Sequence, residues 1–203
     1  MMRPASRRET VSGPAGKIEC AVDLPAGAPR GMALVAHPHP LYGGTLDNKV
    51  VQTLARAFVE LGYAAWRPNF RGVGASEGTH DEGRGEVDDL AAVLAHLRAE
   101  RPVLAGFSFG AAVQTRLAQR LVKEGNPPSR MVLVGLAVKH LEAVPVPADT
   151  ILIHGELDTT VPLADVLAWA RPQDLPVVVV PGADHFFHRR LAILRAIVQN
   201  SWQ

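Results

Sequence analysis

A serine between two glycines, in Gly106-Phe107-Ser108-Phe109-Gly110, is the pattern in this chain best suited to chemistry. The apolar run 102–107 leads into it, and a helical pattern starts at Phe109. In a strand–turn–helix of this kind the hydroxyl is pushed out of a tight turn, and glycines on both flanks let neighbouring backbones pass closely. The helix N-terminus favours negative charge beside the hydroxyl. Attack by Ser108 on a carbonyl carbon needs that environment. It also needs a base to take the hydroxyl proton and an acid to orient the base.

On this layout the partners follow in the order Ser, Asp or Glu, His. The run Ile151-Leu-Ile-His154 leads into Gly155-Glu-Leu-Asp158, and Val177-Val-Val-Val180 leads into Pro181-Gly-Ala-Asp184-His185. Ser108, Asp158 and His185 therefore stand just after three different strands, in the required order. Their neighbours fit other duties. Asp158 could serve as a helix N-cap alone. Glu156 lies closer to its strand end, and Asp165 falls inside the following helix. Asp184 can cap the last helix, His188 reads as a surface residue, and His154 belongs to its strand and should be packed.

The developing oxyanion needs two backbone donors. Phe109, after the serine, supplies one. The other should come from His37-Pro38-His39-Pro40-Leu41-Tyr42-Gly43-Gly44. Proline has no N–H, which removes Pro38 and Pro40. His39, Leu41 and Tyr42 remain. Leu41 or Tyr42 is favoured, because the glycines beyond them let the loop fold over the site. His37 and His39 do not make a metal site, since no cysteine or carboxylate accompanies them at ligand spacing. The glycine-rich stretch 70–78 lacks the third glycine of a dinucleotide fingerprint, with Glu77 in that place, and no phosphate-loop lysine follows. It reads as a turn system, and Ser76 within it as no second nucleophile. No cofactor is implied.

The elements that must hold these residues alternate. Residues 17–24 suggest an edge strand, with 10–13 beginning a hairpin before it. Residues 31–37, 63–68, 103–107, 131–138, 150–154 and 176–181 read as strands, the last a buried one through its four valines. Helical spacing covers 48–61, 86–100, 109–124, 162–170 and 188–202. Strands separated by helices imply an α/β fold with a mostly parallel twisted sheet covered on both faces, and sites at the C-terminal strand ends. Residues 1–9 read as a flexible arm without the apolar core of a secretory signal, and 10–203 as a single domain. With 21 basic and 20 acidic residues, the chain has no field for nucleic acid or a membrane surface. The lone Cys20 rules out an internal disulfide and suggests a reducing, cytoplasmic setting.

Taken together, the His37–Gly44 loop, Asn69-Phe-Arg-Gly-Val-Gly-Ala-Ser76 and the elbow at Ser108 resemble small bacterial α/β hydrolases related to dienelactone hydrolase. Those enzymes proper carry a cysteine at the elbow, so their lactone substrate does not transfer to a chain with Ser108. The resemblance implies the α/β-hydrolase fold and a serine esterase or thioesterase acting on a small-molecule substrate. Members often insert a helical cap after the strand that follows the nucleophile helix. Here only residues 139–149 separate two strands, too few for a cap. The site should be open, with selection by residues 39–44 and 138–144. Use of the triad for acyl transfer or lyase work, or of the fold as a non-catalytic interaction module, are the alternatives. The oligomeric state stays open.

Overall fold

A computed structural model describes residues 6–139 and 141–202. Eight strands form one sheet: β1 (Arg7–Gly13), β2 (Gly16–Asp23), β3 (Met32–Ala36), β4 (Ala64–Pro68), β5 (Val103–Phe107), β6 (Arg130–Val134), β7 (Ile151–Gly155) and β8 (Val177–Val180). Five helices connect them: α1 (Lys49–Glu60), α2 (Arg84–His96), α3 (Phe109–Lys123), α4 (Leu163–Ala170) and α5 (Leu191–Asn200). The spatial order is β1-β2-β4-β3-β5-β6-β7-β8. β1 pairs with β2 and β2 with β4 antiparallel, while the pairs from β4 through β8 are parallel.

Side chains of β3 and β5 alternate between two apolar cores because successive residues face opposite sides of a sheet. Leu34 and Leu104 join Leu90, Val93, Val113 and Leu117 under α2 and α3. Val35, Val103 and Ala105 join Val50, Leu54, Phe58, Leu194 and Val198 under α1 and α5. Both faces are thus buried, as the continuous apolar runs require. α1 starts where it does because Asn48 Oδ1 accepts the N–H groups of Val50 (2.9 Å) and Val51 (3.4 Å), a cap of about 1 kcal/mol.

Several expected boundaries shift. β1 begins at Arg7, so residues 7–9, read as part of an arm, belong to a strand paired with β2; positions 1–5 of that arm lie outside the described residues. β2 is not an edge strand, because β1 covers one side and β4 the other. The edges are β1 and β8, and Val178 and Val179 of β8 are exposed. The strand expected over 131–138 stops at Val134, since Gly135 turns to φ 53°. The last helix starts at Leu191, after a turn in which Phe187 and Arg189 both have positive φ. Among the described residues the connection from β6 to β7 holds no helix or strand, and nothing caps the C-terminal end of the sheet there. No helix of these residues is long and apolar enough to cross a membrane.

Candidate active site

Ser108 stands between β5 and α3 at φ 56°, ψ −118°. A non-glycine residue there carries strain of about 1–3 kcal/mol, which the surroundings must enforce. They do so sterically. A Cβ on Gly106 would meet Ala111 N and Gly110 C at 2.6 Å, and one on Gly110 would meet His37 O at 2.4 Å. Both flanks must be glycine for β5, α3 and the end of β3 to come this close. The Ser108 N–H donates to Val134 O (2.9 Å), tying the turn to β6. Ser108 is 8 % exposed, Asp158 and His185 less still.

The three residues from three strand ends meet. His185 Nδ1 lies 2.6 Å from Asp158 Oδ2, and its Nε2 lies 3.1 Å from Ser108 Oγ. A carboxylate can only accept, so Nδ1 carries the proton and Nε2 offers its lone pair to the serine hydroxyl. Asp158 is held from its other oxygen: Oδ1 accepts the N–H groups of Thr160 (2.9 Å) and Val161 (2.8 Å). The capping-type contacts expected of an aspartate at this place therefore exist alongside the histidine bond, one on each oxygen. The His185 ring packs between Phe107 (4.8 Å) and Phe186 (5.1 Å). Gly135 leaves room beside it; a Cβ there would sit 3.3 Å from His185 Cε1. Such an arrangement can take a proton from Ser108 as it attacks and return it to a leaving group.

The other acidic and imidazole candidates are elsewhere engaged. Glu156 accepts from Gly182 N, Asp165 pairs with Lys139, and exposed His188 bonds Asp184, whose carboxyl it holds below the usual range. Asp184 does not cap α5, which starts well beyond it. His154 is fully buried, as expected, but it does more than pack. Its Nε2 donates to Val161 O (2.9 Å) and lies 3.4 Å from Asp158 Oδ2, while its Nδ1 is buried with no partner. Burial pushes its pKa down. A neutral ring thus braces the loop that carries Asp158. Its place on the strand leading to Asp158 was the available signal, although sequence alone does not say which way the ring turns.

The loop after β3 corrects one expectation. The Leu41 N–H donates to His39 Nδ1 (3.2 Å), and the Tyr42 N–H donates to His39 O (3.2 Å). Both favoured oxyanion donors are thus spent on folding a short turn, Pro40–Tyr42, and their side chains face solvent, Tyr42 at 83 %. Phe109 is the first residue of α3, so its N–H has no acceptor within the helix. The His39 ring packs 4.7 Å from the Phe109 ring, which sets the start of the loop beside the start of the helix. His37 fixes the loop's root: Nδ1 donates to Pro38 O (2.7 Å) and Nε2 accepts from Phe70 N (2.9 Å). With both ring nitrogens engaged, His37 has none left for a metal. Burial lowers its pKa to about 4, which keeps it neutral. Among the described residues no cluster of His, Cys, Asp or Glu is placed to hold a metal ion. Ser76 Oγ donates to Asn69 O (2.8 Å) and accepts from Glu19 N, a structural role.

Residues 33–138, which include Ser108, match the Alpha/beta hydrolase family. An uncharacterised protein of Rickettsia prowazekii is 33% identical over 192 residues, covering 87% of this chain and 80% of that protein. Two solved structures are similar throughout. One, described as an alpha-beta serine hydrolase homologue from Coxiella burnetii, is 36% identical with a TM-score of 0.86 and covers 97% of each chain. The other, a serine hydrolase without a lid from Xanthomonas campestris, is 37% identical with a TM-score of 0.88, covering 99% of this chain and 95% of that one.

Proposed function

Because the chain belongs to the alpha/beta hydrolase family, we propose that it is a serine hydrolase that cleaves carboxylic esters or thioesters of small acyl groups. The observation that carries this reading is the single His185 ring bonded to Asp158 on one side and Ser108 on the other. In the first half-reaction Ser108 Oγ bonds to the carbonyl carbon while its proton passes to His185 Nε2. The carbonyl oxygen becomes an oxyanion held by backbone N–H groups. Collapse of that intermediate expels the alcohol or thiol, which takes the proton from His185. A water then repeats the sequence: His185 takes its proton, the hydroxide adds to the acyl carbon, and Ser108 leaves with the proton restored.

For the oxyanion we assign the N–H of Phe109, the residue after the nucleophile, together with a second backbone N–H from the loop 37–44. Asp158 orients His185 and stabilises the imidazolium that forms on it. A cytoplasmic setting accords with Cys20, a buried thiol whose pKa desolvation pushes up to about 12 and so keeps unreactive. The test is turnover of 4-nitrophenyl acetate and butyrate and of a short acyl thioester by the wild type and by Ser108→Ala. The reading expects steady turnover that falls by about 10³-fold or more in the variant. No turnover by the wild type across this set would overturn it.

A further inference from the structure

An open cleft of about 740 Å³ is lined by His39 and by Phe109, the residue that follows Ser108, while no member of the triad lines it. His80 joins them, its ring 4.9 Å from His39 and 5.5 Å from Phe109. His80 is held from behind through Nδ1 by the fully buried Glu86 carboxylate (2.9 Å). Arg84, Arg116, Lys139 and Leu141 line the same cleft. The charges there are not equivalent. Arg84 is paired with Asp81 (3.1 Å) and Glu82 (3.8 Å), and Lys139 with Asp165 (2.8 Å). Arg116 has no such partner among the described residues. Its Nη2 donates to Leu141 O (2.6 Å), and its Nε is buried without an acceptor. Glu142 is also at the cleft, but it is exposed, so water screens it.

The Arg116 Nε is closed off from solvent, so a ligand in the cleft would meet the guanidinium at its remaining edge, where no carboxylate among the described residues balances its charge. Arg116 sits on α3, the helix that begins at Phe109. At 1.5 Å per residue it is about 10 Å along the axis from the proposed oxyanion donor. Helical side chains lean back toward the N-terminus of their helix, the end at which Ser108 stands. A planar guanidinium whose charge has no carboxylate partner fits a carboxylate.

Resting on the serine hydrolase reading above, we propose that Arg116 receives an anionic group of the substrate. The preferred ester or thioester thus carries a carboxylate on a short chain from the scissile carbonyl. The test compares kcat/KM for the 4-nitrophenyl hemiesters of succinic, glutaric and adipic acids with that for neutral 4-nitrophenyl butyrate. Wild type should favour at least one hemiester by about tenfold or more. In Arg116→Gln that hemiester-to-butyrate ratio should fall by about tenfold or more, with Arg116→Lys between the two. An unchanged ratio in Arg116→Gln, or a wild type that prefers butyrate, overturns the proposal. Binding of monomethyl glutarate to Ser108→Ala by calorimetry, with and without Arg116→Gln, needs no turnover. Arg116-dependent binding there without ester turnover by wild type would defeat the hydrolase reading and leave the anion site standing. Turnover of butyrate without any such binding would do the reverse. Should Arg116→Gln fail to fold, Arg116→Lys in both assays decides.

Discussion

Replacing Gly110 by alanine tests how the fold makes the site. The added Cβ would lie 2.4 Å from His37 O and 2.6 Å from Ala36 C and O, where ordinary contact starts near 3.4 Å. The obstacle is backbone, so no side chain can swing away. The start of α3 and the end of β3 must part by about 1 Å. Overpacking of this kind costs about 1–3 kcal/mol, equivalent to roughly 2–12 °C in Tm for a domain of this size. The same displacement separates Phe109 from the loop rooted at His37, and a misplacement of about 1 Å costs on the order of 10²-fold in rate. Urea unfolding and kcat/KM for 4-nitrophenyl butyrate measure the two effects. Gly27→Ala is the control, since nothing lies within 4 Å of its Cβ. A Gly110→Ala protein as stable and as active as Gly27→Ala would refute the steric account of the elbow.

Three further outcomes follow from the site. Asp158→Asn should lower kcat by about 10³–10⁴-fold, because an amide facing His185 Nδ1 favours the wrong tautomer; a loss under tenfold in steady-state assays would show that Asp158 does not orient His185. His154→Phe should lower kcat by about tenfold and destabilise by about 1–3 kcal/mol through the unpaired Val161 carbonyl, while His154→Gln, which keeps a donor, recovers most of both; equal losses in the two variants would remove the bracing role. Stability should fall as pH drops from about 6.5 toward 4, because His37 stays neutral in the fold to about pH 4 whereas the unfolded chain takes up the proton near 6.5. Its share is about 3 kcal/mol over that window. Urea titrations from pH 7.5 to 4.5 should show a shallower loss in His37→Gln, and an identical slope would contradict the assignment.

What the sequence made readable was local. Gly106, Ser108 and Gly110 announce a turn whose sterics depend on the backbone itself, and the strand-end positions of Asp158 and His185 follow from apolar runs and chain order. What stayed hidden depends on neighbours distant in sequence. Four valines look the same in a central strand and at an edge; in the edge strand β8, Val178 and Val179, on opposite faces of the sheet, are both left partly uncovered. β2 reads as an edge because its pattern alternates, yet β1 pairs along its outer side. The helix expected to start at Glu86 begins at Arg84, since Glu86 reaches back to the N–H of Gly83 (2.8 Å) and Gly83 itself turns to φ 86°. Within the oxyanion loop, proline chemistry narrowed the donors to three, but the capture of the Leu41 N–H by the His39 ring is a matter of rotamer. His154 and Arg116 carried no motif at all; their parts follow from where packing leaves a buried nitrogen.

The central claim is that Ser108 is an activated nucleophile, and a fluorophosphonate probe tests it most directly. Such a probe forms a bond only with a serine whose proton is drawn off by a base. Intact-mass measurement of the wild type should show one adduct, mapped by peptide sequencing to Ser108. The adduct should be absent in Ser108→Ala and slowed by about 10³-fold or more in His185→Ala. An adduct that persists in Ser108→Ala, or a folded wild type that never reacts, would contradict the account.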